Sequence, residues 1–176
     1  MRVLVLGGIR SGKSEWAETA IAASVGAECP VRYLATGATA DDYDWSARVA
    51  AHRARRPQHW STVETADVAR QLRSESPSPT LVDDVGGWLT GAMDRAGAWT
   101  GGSVCADIDD LLDVVAGYTA ELVLVSPEVG LTVVPETVTG RRFADELGTL
   151  NQRLAALCDR VVLVVAGQPV TVKGPS

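Results

Sequence analysis

The stretch that most constrains this chain is Gly7-Gly8-Ile9-Arg10-Ser11-Gly12-Lys13-Ser14, set between the apolar run Val3-Leu4-Val5-Leu6 and the helix-forming Glu15-Trp16-Ala17-Glu18. Gly, four residues, then Gly-Lys-Ser is the pattern of a phosphate-binding loop, and both required flanks are present. The glycines let the backbone turn tightly enough for consecutive N–H groups to aim at phosphate oxygens, and the helix behind adds the positive end of its dipole. Lys13 supplies a mobile charge. Ser14 offers a hydroxyl to a magnesium ion bridging the outer phosphates. Every residue from 7 to 14 is therefore a candidate nucleotide ligand, although a triphosphate loop does not say what becomes of the triphosphate.

Periodicity organises the rest of the chain. Trp16, Ala17, Ala20, Ile21 and Ser24 predict a helix over 13–24, and Val31-Arg32-Tyr33-Leu34-Ala35 predicts a strand. Ala35, Thr36 and Gly37 then fall at the carboxyl end of that strand, the edge where open parallel sheets bind ligands. A helix capped by Asp41 or Asp42 runs to about 55 and is stopped by Pro57, placing Trp45, Val49 and His52 on one stripe with Arg48 beside them. Strands follow over 60–64, with Glu64 at its end, and over 80–84, with a short helix opened by Thr65 or Asp67 between them. An acidic residue at the end of such a strand holds the magnesium ion or its water shell in phosphate-loop enzymes, which makes Asp83 a candidate alongside Ser14. Helices over 88–95 and 107–118, a strand over 122–126, a long helix capped by Thr139, a strand over 161–165 and an edge strand over 170–172 complete the pattern. Apolar runs alternating with amphipathic helices predict one α/β domain over 1–176, a mostly parallel sheet with helices on both faces.

Composition narrows the partners. A net charge of −6 argues against a broad nucleic-acid-binding face. Three cysteines at wide spacing, Cys29, Cys105 and Cys158, match no metal pattern and fit a reducing compartment. With no apolar run long enough to span a bilayer and no room for a signal peptide before the first strand, a soluble cytoplasmic protein is expected.

An ordered set of motifs then suggests a family. The loop, Tyr33-Leu34-Ala35-Thr36, Arg48-Val49-Ala50-Ala51-His52-Arg53 with Arg56-Pro57, Trp60-Ser61-Thr62-Val63-Glu64, Glu128-Val129-Gly130, Val134-Pro135, Arg141-Arg142-Phe143 with Asp145, Gly148, Asn151-Gln152 and Ala166-Gly167 occur in that order. Together they resemble the bifunctional adenosylcobinamide kinase/adenosylcobinamide-phosphate guanylyltransferases over nearly the whole chain. The resemblance implies a P-loop NTPase fold of the RecA-like type and two reactions in assembly of the cobalamin nucleotide loop. In the first, GTP or ATP, with Mg2+, phosphorylates adenosylcobinamide. In the second, His52 takes GMP from GTP with loss of pyrophosphate and passes it to adenosylcobinamide phosphate. The resemblance also maps the nucleotide site onto the loop, Ala35, Thr36, Gly37, Arg53, Ala54, Arg55, Arg56, Glu64 and Asp83, and implies a homotrimer.

Spacing alone leaves His52 open between nucleophile and half-buried packing residue, and leaves the arginines open between phosphate clamp and solvated helix end. As a nucleophile the imidazole must be neutral, which its ordinary pKa of about 6.5 and the surrounding positive charge both favour. The same arginines would hold the α-phosphate and the departing pyrophosphate. Glu128 reads equally as a substrate carboxylate or a strand-end cap, and Arg141, Arg142 and Asn151 as corrinoid contacts or helix-surface pairs. The chain departs from the family's usual residues at Asp84, Gly86, Gly91, Pro127 and Ala144. Those departures bear on corrinoid binding and the kinase half, so two alternatives stand beside the bifunctional enzyme: a guanylyltransferase with weakened or lost kinase activity, and a non-catalytic GTP-binding module.

Overall fold

The computed structural model describes residues 1–37, 56–73 and 77–174. Its strands are β1 (Arg2–Gly7), β2 (Arg32–Ala35), β3 (Ser61–Glu64), β4 (Thr80–Asp83), β5 (Leu122–Pro127), β6 (Arg160–Val165) and β7 (Gln168–Lys173). They form one sheet in the order β3-β2-β4-β5-β1-β6-β7. Strands β1 to β6 run parallel and β7 is antiparallel at the edge. The loop-bearing β1 is thus central, paired to β5 on one side and β6 on the other, with Gly7 opposite Pro127 and Val164.

Five described helices cover the sheet: α1 (Lys13–Val25), α2 (Val68–Leu72), α3 (Val85–Arg95), α4 (Cys105–Gly117) and α5 (Val138–Leu157). Side chains alternate across a strand, so each buried strand feeds two cores. Leu4, Leu124 and Val161 join the apolar faces of α2, α3, α4 and α5. Val3, Val5, Val123, Val125 and Val162 pack with Ala17 and Ile21 of α1, along with Tyr33 and Leu81. The same alternation puts Asp83, two residues after Leu81, on the α1 face with Tyr33.

Several boundaries differ from those expected, α4 among them at Cys105–Gly117 against 107–118, and three of the differences are instructive. Helix α3 begins at Val85 rather than 88, because the Asp84 side chain accepts the Gly87 N–H at 2.6 Å and caps it. Helix α5 is capped by Thr137, whose hydroxyl accepts the Gly140 N–H at 3.0 Å, and not by Thr139. Strand β7 spans six residues where three were expected. Among the described residues no helix is long and apolar enough to cross a membrane.

Candidate active site

The site is assembled where β1 turns into α1. Gly7 is buried at the end of β1, and a Cβ there would strike the Ser11 hydroxyl and stand 2.8 Å from the Val164 carbonyl, so no side chain fits. Gly12 has φ +90° and lies against Gly167, whose Cα would be 3.2 Å from an added Cβ. Only glycine combines that left-handed backbone with that approach. The Gly167 N–H donates to the Ser11 carbonyl at 2.8 Å, so the β6–β7 turn braces the loop from behind. Arg10, also at positive φ, and Ile9 project outward, with Ile9 89% exposed.

The loop is left able to take an anion. Helix α1 starts at Lys13 with no side-chain cap on its first-turn N–H groups, and the buried Ser11 hydroxyl has no hydrogen-bond partner. Free donors at a helix N-terminus beside a lysine are what a phosphate chain satisfies. Ser14 sits half-buried on the first turn of α1. Among the described residues no group of three or more His, Cys, Asp and Glu is placed to hold a metal.

Two carboxylates end β4. One oxygen of Asp83 accepts the Tyr33 hydroxyl, and burial followed by that carboxylate pushes the Tyr33 phenol well above its ordinary range. Asp84 turns to the start of α3, where burial raises its carboxyl while the Gly87 N–H and the nearby Lys13 ammonium pull it back down. The Thr36 hydroxyl donates to the Asp84 carbonyl, and the Thr36 N–H donates to the Asp83 carbonyl at 3.1 Å. Ala35, Thr36 and Asp83 are therefore brought to one sheet edge. Gly37 follows there, packed against Gly87 of α3.

Arg56 is the one of the candidate residues 53–56 that falls among the described residues. Its guanidinium lies 3.3 Å over the Tyr33 ring, 3.5 Å from the Glu18 carboxylate and 3.1 Å from the Thr62 hydroxyl, with its side chain 8% exposed. It forms a chain Glu18–Arg56–Tyr33–Asp83 behind the magnesium-ligand candidate. Glu64 ends β3, opposite Ala35 of β2. His52, Arg53, Ala54 and Arg55 lie outside the described residues, as does the helix expected there.

Of the residues left open by the sequence, Asn151 is buried and bonds the Ser126 hydroxyl at 2.6 Å and the Pro127 carbonyl at 3.0 Å, locking α5 to β5. Glu128 accepts the Gly130 N–H at 2.6 Å, the turn-capping alternative. Arg141 donates to the carbonyls of Pro135 and Glu136, and Arg142 to that of Gly102. Sequence reasoning missed the roles of Tyr33 and Asp84. The Asp83-Asp84 doublet was the available signal for the second.

The fold has counterparts of low identity. The flagellar accessory protein FlaH from Methanocaldococcus jannaschii superposes with a TM-score of 0.54 at 9% identity, covering 98% of this chain and 78% of that one. An ATPase from the type III secretion system of pathogenic bacteria gives 0.55 at 14% identity, over 92% of this chain and 51% of its own. Both support the P-loop NTPase fold and nothing finer. Sequence relatives are nearer. The bifunctional adenosylcobalamin biosynthesis protein CobP of Pseudomonas aeruginosa is 42% identical, covering 99% of this chain and 98% of its own. The CobU proteins of the same description from Escherichia coli and Salmonella typhimurium are 36% and 38% identical over 98% of this chain and all of theirs. Residues 3–172 match the family described as cobinamide kinase / cobinamide phosphate guanyltransferase, and it is to this family that the chain belongs.

Proposed function

We infer that this chain carries out both transfers of its family on one nucleotide site. In the first, adenosylcobinamide receives the γ-phosphate of GTP or ATP on its side-arm hydroxyl. In the second, the imidazole of His52 attacks the α-phosphorus of GTP and pyrophosphate departs. The guanylyl group then moves to adenosylcobinamide phosphate, giving adenosylcobinamide-GDP. The observation that carries this reading is the uncapped start of α1 with its orphaned Ser11 hydroxyl, in a chain whose family match runs from end to end.

The described residues divide the work by chemistry. Backbone N–H groups of residues 8–14 and the Lys13 ammonium bind the phosphate chain and stabilise the charge that grows on it during transfer. Ser14 and Asp83 would hold Mg2+, which neutralises charge on the outer phosphates when bound. The Tyr33 hydroxyl fixes the Asp83 carboxylate, and Arg56 stacked on the Tyr33 ring fixes the tyrosine in turn. Ala35, Thr36, Gly37, Arg53, Ala54, Arg55, Arg56 and Glu64 complete the proposed nucleotide site. A covalent guanylyl-histidine lets one site serve two acceptors in sequence. The chain acts in the cytoplasm as a homotrimer, for which the unpaired outer edge of β7, exposed at all six residues, offers a surface.

Incubation with GTP labelled at the α-phosphate and Mg2+ tests the reading. A base-stable, acid-labile label on the wild type, absent from His52→Ala, is expected, as is a light-scattering mass of three chains. An unlabelled wild type rules out the guanylyl transfer. Labelling without phosphorylation of adenosylcobinamide leaves a guanylyltransferase alone.

A further inference from the structure

We propose that the loop between β5 and α5 is the apolar wall on which the corrinoid ring of the acceptor rests. The proposal deepens the function inferred above and depends on it. The loop leaves the sheet beside the phosphate loop: Pro127 pairs with Gly7, and the Glu128 N–H donates to the Gly7 carbonyl at 3.1 Å. An acceptor whose hydroxyl meets the terminal phosphate must have its bulk within reach of this position.

The loop's side chains are then notable for which way they face. Leu131, Val133 and Val134 of the loop are 74%, 91% and 71% exposed and Val138, at the first position of α5, is 69% exposed, four of the nine large hydrophobics exposed among the described residues. Ile9, on the phosphate loop itself, is another at 89%. Clustered exposed apolar surface marks a recognition site.

This loop is also fastened. Glu128 takes the Gly130 N–H at 2.6 Å, and the Thr132 hydroxyl donates to the Val129 carbonyl at 3.1 Å. Arg141 holds the carbonyls of Pro135 and Glu136 at 3.0 and 2.7 Å. Polar groups of the loop thus fix its shape while its apolar side chains face out, a pre-formed surface with little left to order on binding.

The occupant follows from the two substrates. A nucleoside triphosphate is too polar to use four exposed aliphatic side chains. A corrinoid is a broad macrocycle edged with methyl groups and amide arms, and it alone among the substrates presents apolar area of that extent. The loop starts at the nucleotide site, where the Glu128 N–H donates to the Gly7 carbonyl, so a corrinoid resting on it would present its arm first to the γ-phosphate and later to the guanylyl group.

The test is equilibrium dialysis of adenosylcobinamide against the full-length protein, comparing wild type with a Leu131→Ser/Val133→Ser/Val134→Ser variant. The expected result is a dissociation constant raised at least about tenfold, as loss of several buried aliphatic groups implies. The GTP-dependent label and the light-scattering mass should match the wild type. Corrinoid affinity equal to wild type, with the label intact, overturns the wall while leaving the proposed function standing. A fall in mass together with the fall in affinity also overturns it, since the loop is then a contact between copies of the chain. A wild type that takes neither label nor corrinoid removes the function and the wall together.

Discussion

Among single residues, the family departures at 86 and 127 turn out to be one structural unit. Gly86 sits on the first turn of α3, and a Cβ there would stand 2.8 Å from Cγ and 3.0 Å from Cδ of Pro127. The proline ring occupies the space that an ordinary residue at 86 would need. A rigid ring cannot give way as a long side chain would, so Gly86→Ala should cost about 1–3 kcal/mol by overpacking. In a Pro127→Ala background the same change should be close to neutral, since alanine is the better helix former by up to about 1 kcal/mol. Denaturant unfolding of the two single variants and the double variant measures the coupling, expected at about 1 kcal/mol or more. A Gly86→Ala chain as stable as wild type would show that the ring and the helix do not constrain each other. The neighbouring carboxylates also separate at this scale: Asp83 is held by Tyr33 toward α1, while Asp84 caps α3.

Among elements, α5 and β7 are joined by one side chain. Lys173 donates to the carbonyls of Ala155, Ala156 and Cys158 at 2.8, 3.1 and 2.7 Å, the groups that the end of α5 leaves unpaired. Its charge also sits at the negative end of the helix dipole. Because β7 is exposed along its whole length, this contact adds to the pairing with β6 in fastening it. Lys173→Met keeps the aliphatic stem and should lose about 1 kcal/mol, discounted for solvent exposure. That corresponds to a fall in Tm of about 2–4 °C for a chain of this size, with faster amide exchange in the last turn of α5. An unchanged Tm would mean that water replaces the ammonium without loss. Nothing in the sequence pointed to this link, because the lysine and the helix end meet only once β7 folds back. The elements themselves were legible where the signal was local: the loop with its two flanks, the apolar runs, the Leu147, Leu150, Leu154 stripe of α5. Boundaries were missed where a cap outweighed propensity, as at Asp84, which starts α3 at Val85, ahead of Gly86 and Gly87, where 88 was expected.

For the molecule as a whole, the strand order was beyond the sequence, because parallel neighbours such as β1 and β5 are joined through most of the chain and composition does not encode which run lies beside which. The same holds for the site. Gly7, Gly12, Lys13 and Ser14 were readable from one stretch, whereas the Tyr33–Asp83 bond joins residues fifty positions apart. Closure of the sheet places another long-range pair at the opposite edge from the site. The Asp159 carboxylate accepts the Arg2 N–H at 2.6 Å, and the Arg2 guanidinium lies 3.6 Å away, tying the start of β1 to the start of β6. The backbone N–H of Arg2, then its positive charge, hold the Asp159 carboxyl below its usual range. A carboxyl that titrates lower when folded contributes stability above its unfolded pKa of about 3.9 and loses it as pH falls through the depressed folded value. Half-buried Asp84, shifted upward, has the opposite sign: its contribution weakens as pH rises from the unfolded value through the folded one. Asp159→Asn keeps an acceptor for the Arg2 N–H but removes the charge. Its Tm should lie about 1–3 °C below wild type at pH 7, the range a solvent-screened pair supports. The gap should narrow below about pH 4 and vanish once wild-type Asp159 is protonated. A gap that stays constant from pH 7 into acid would show that shape, and not charge, joins the two strands.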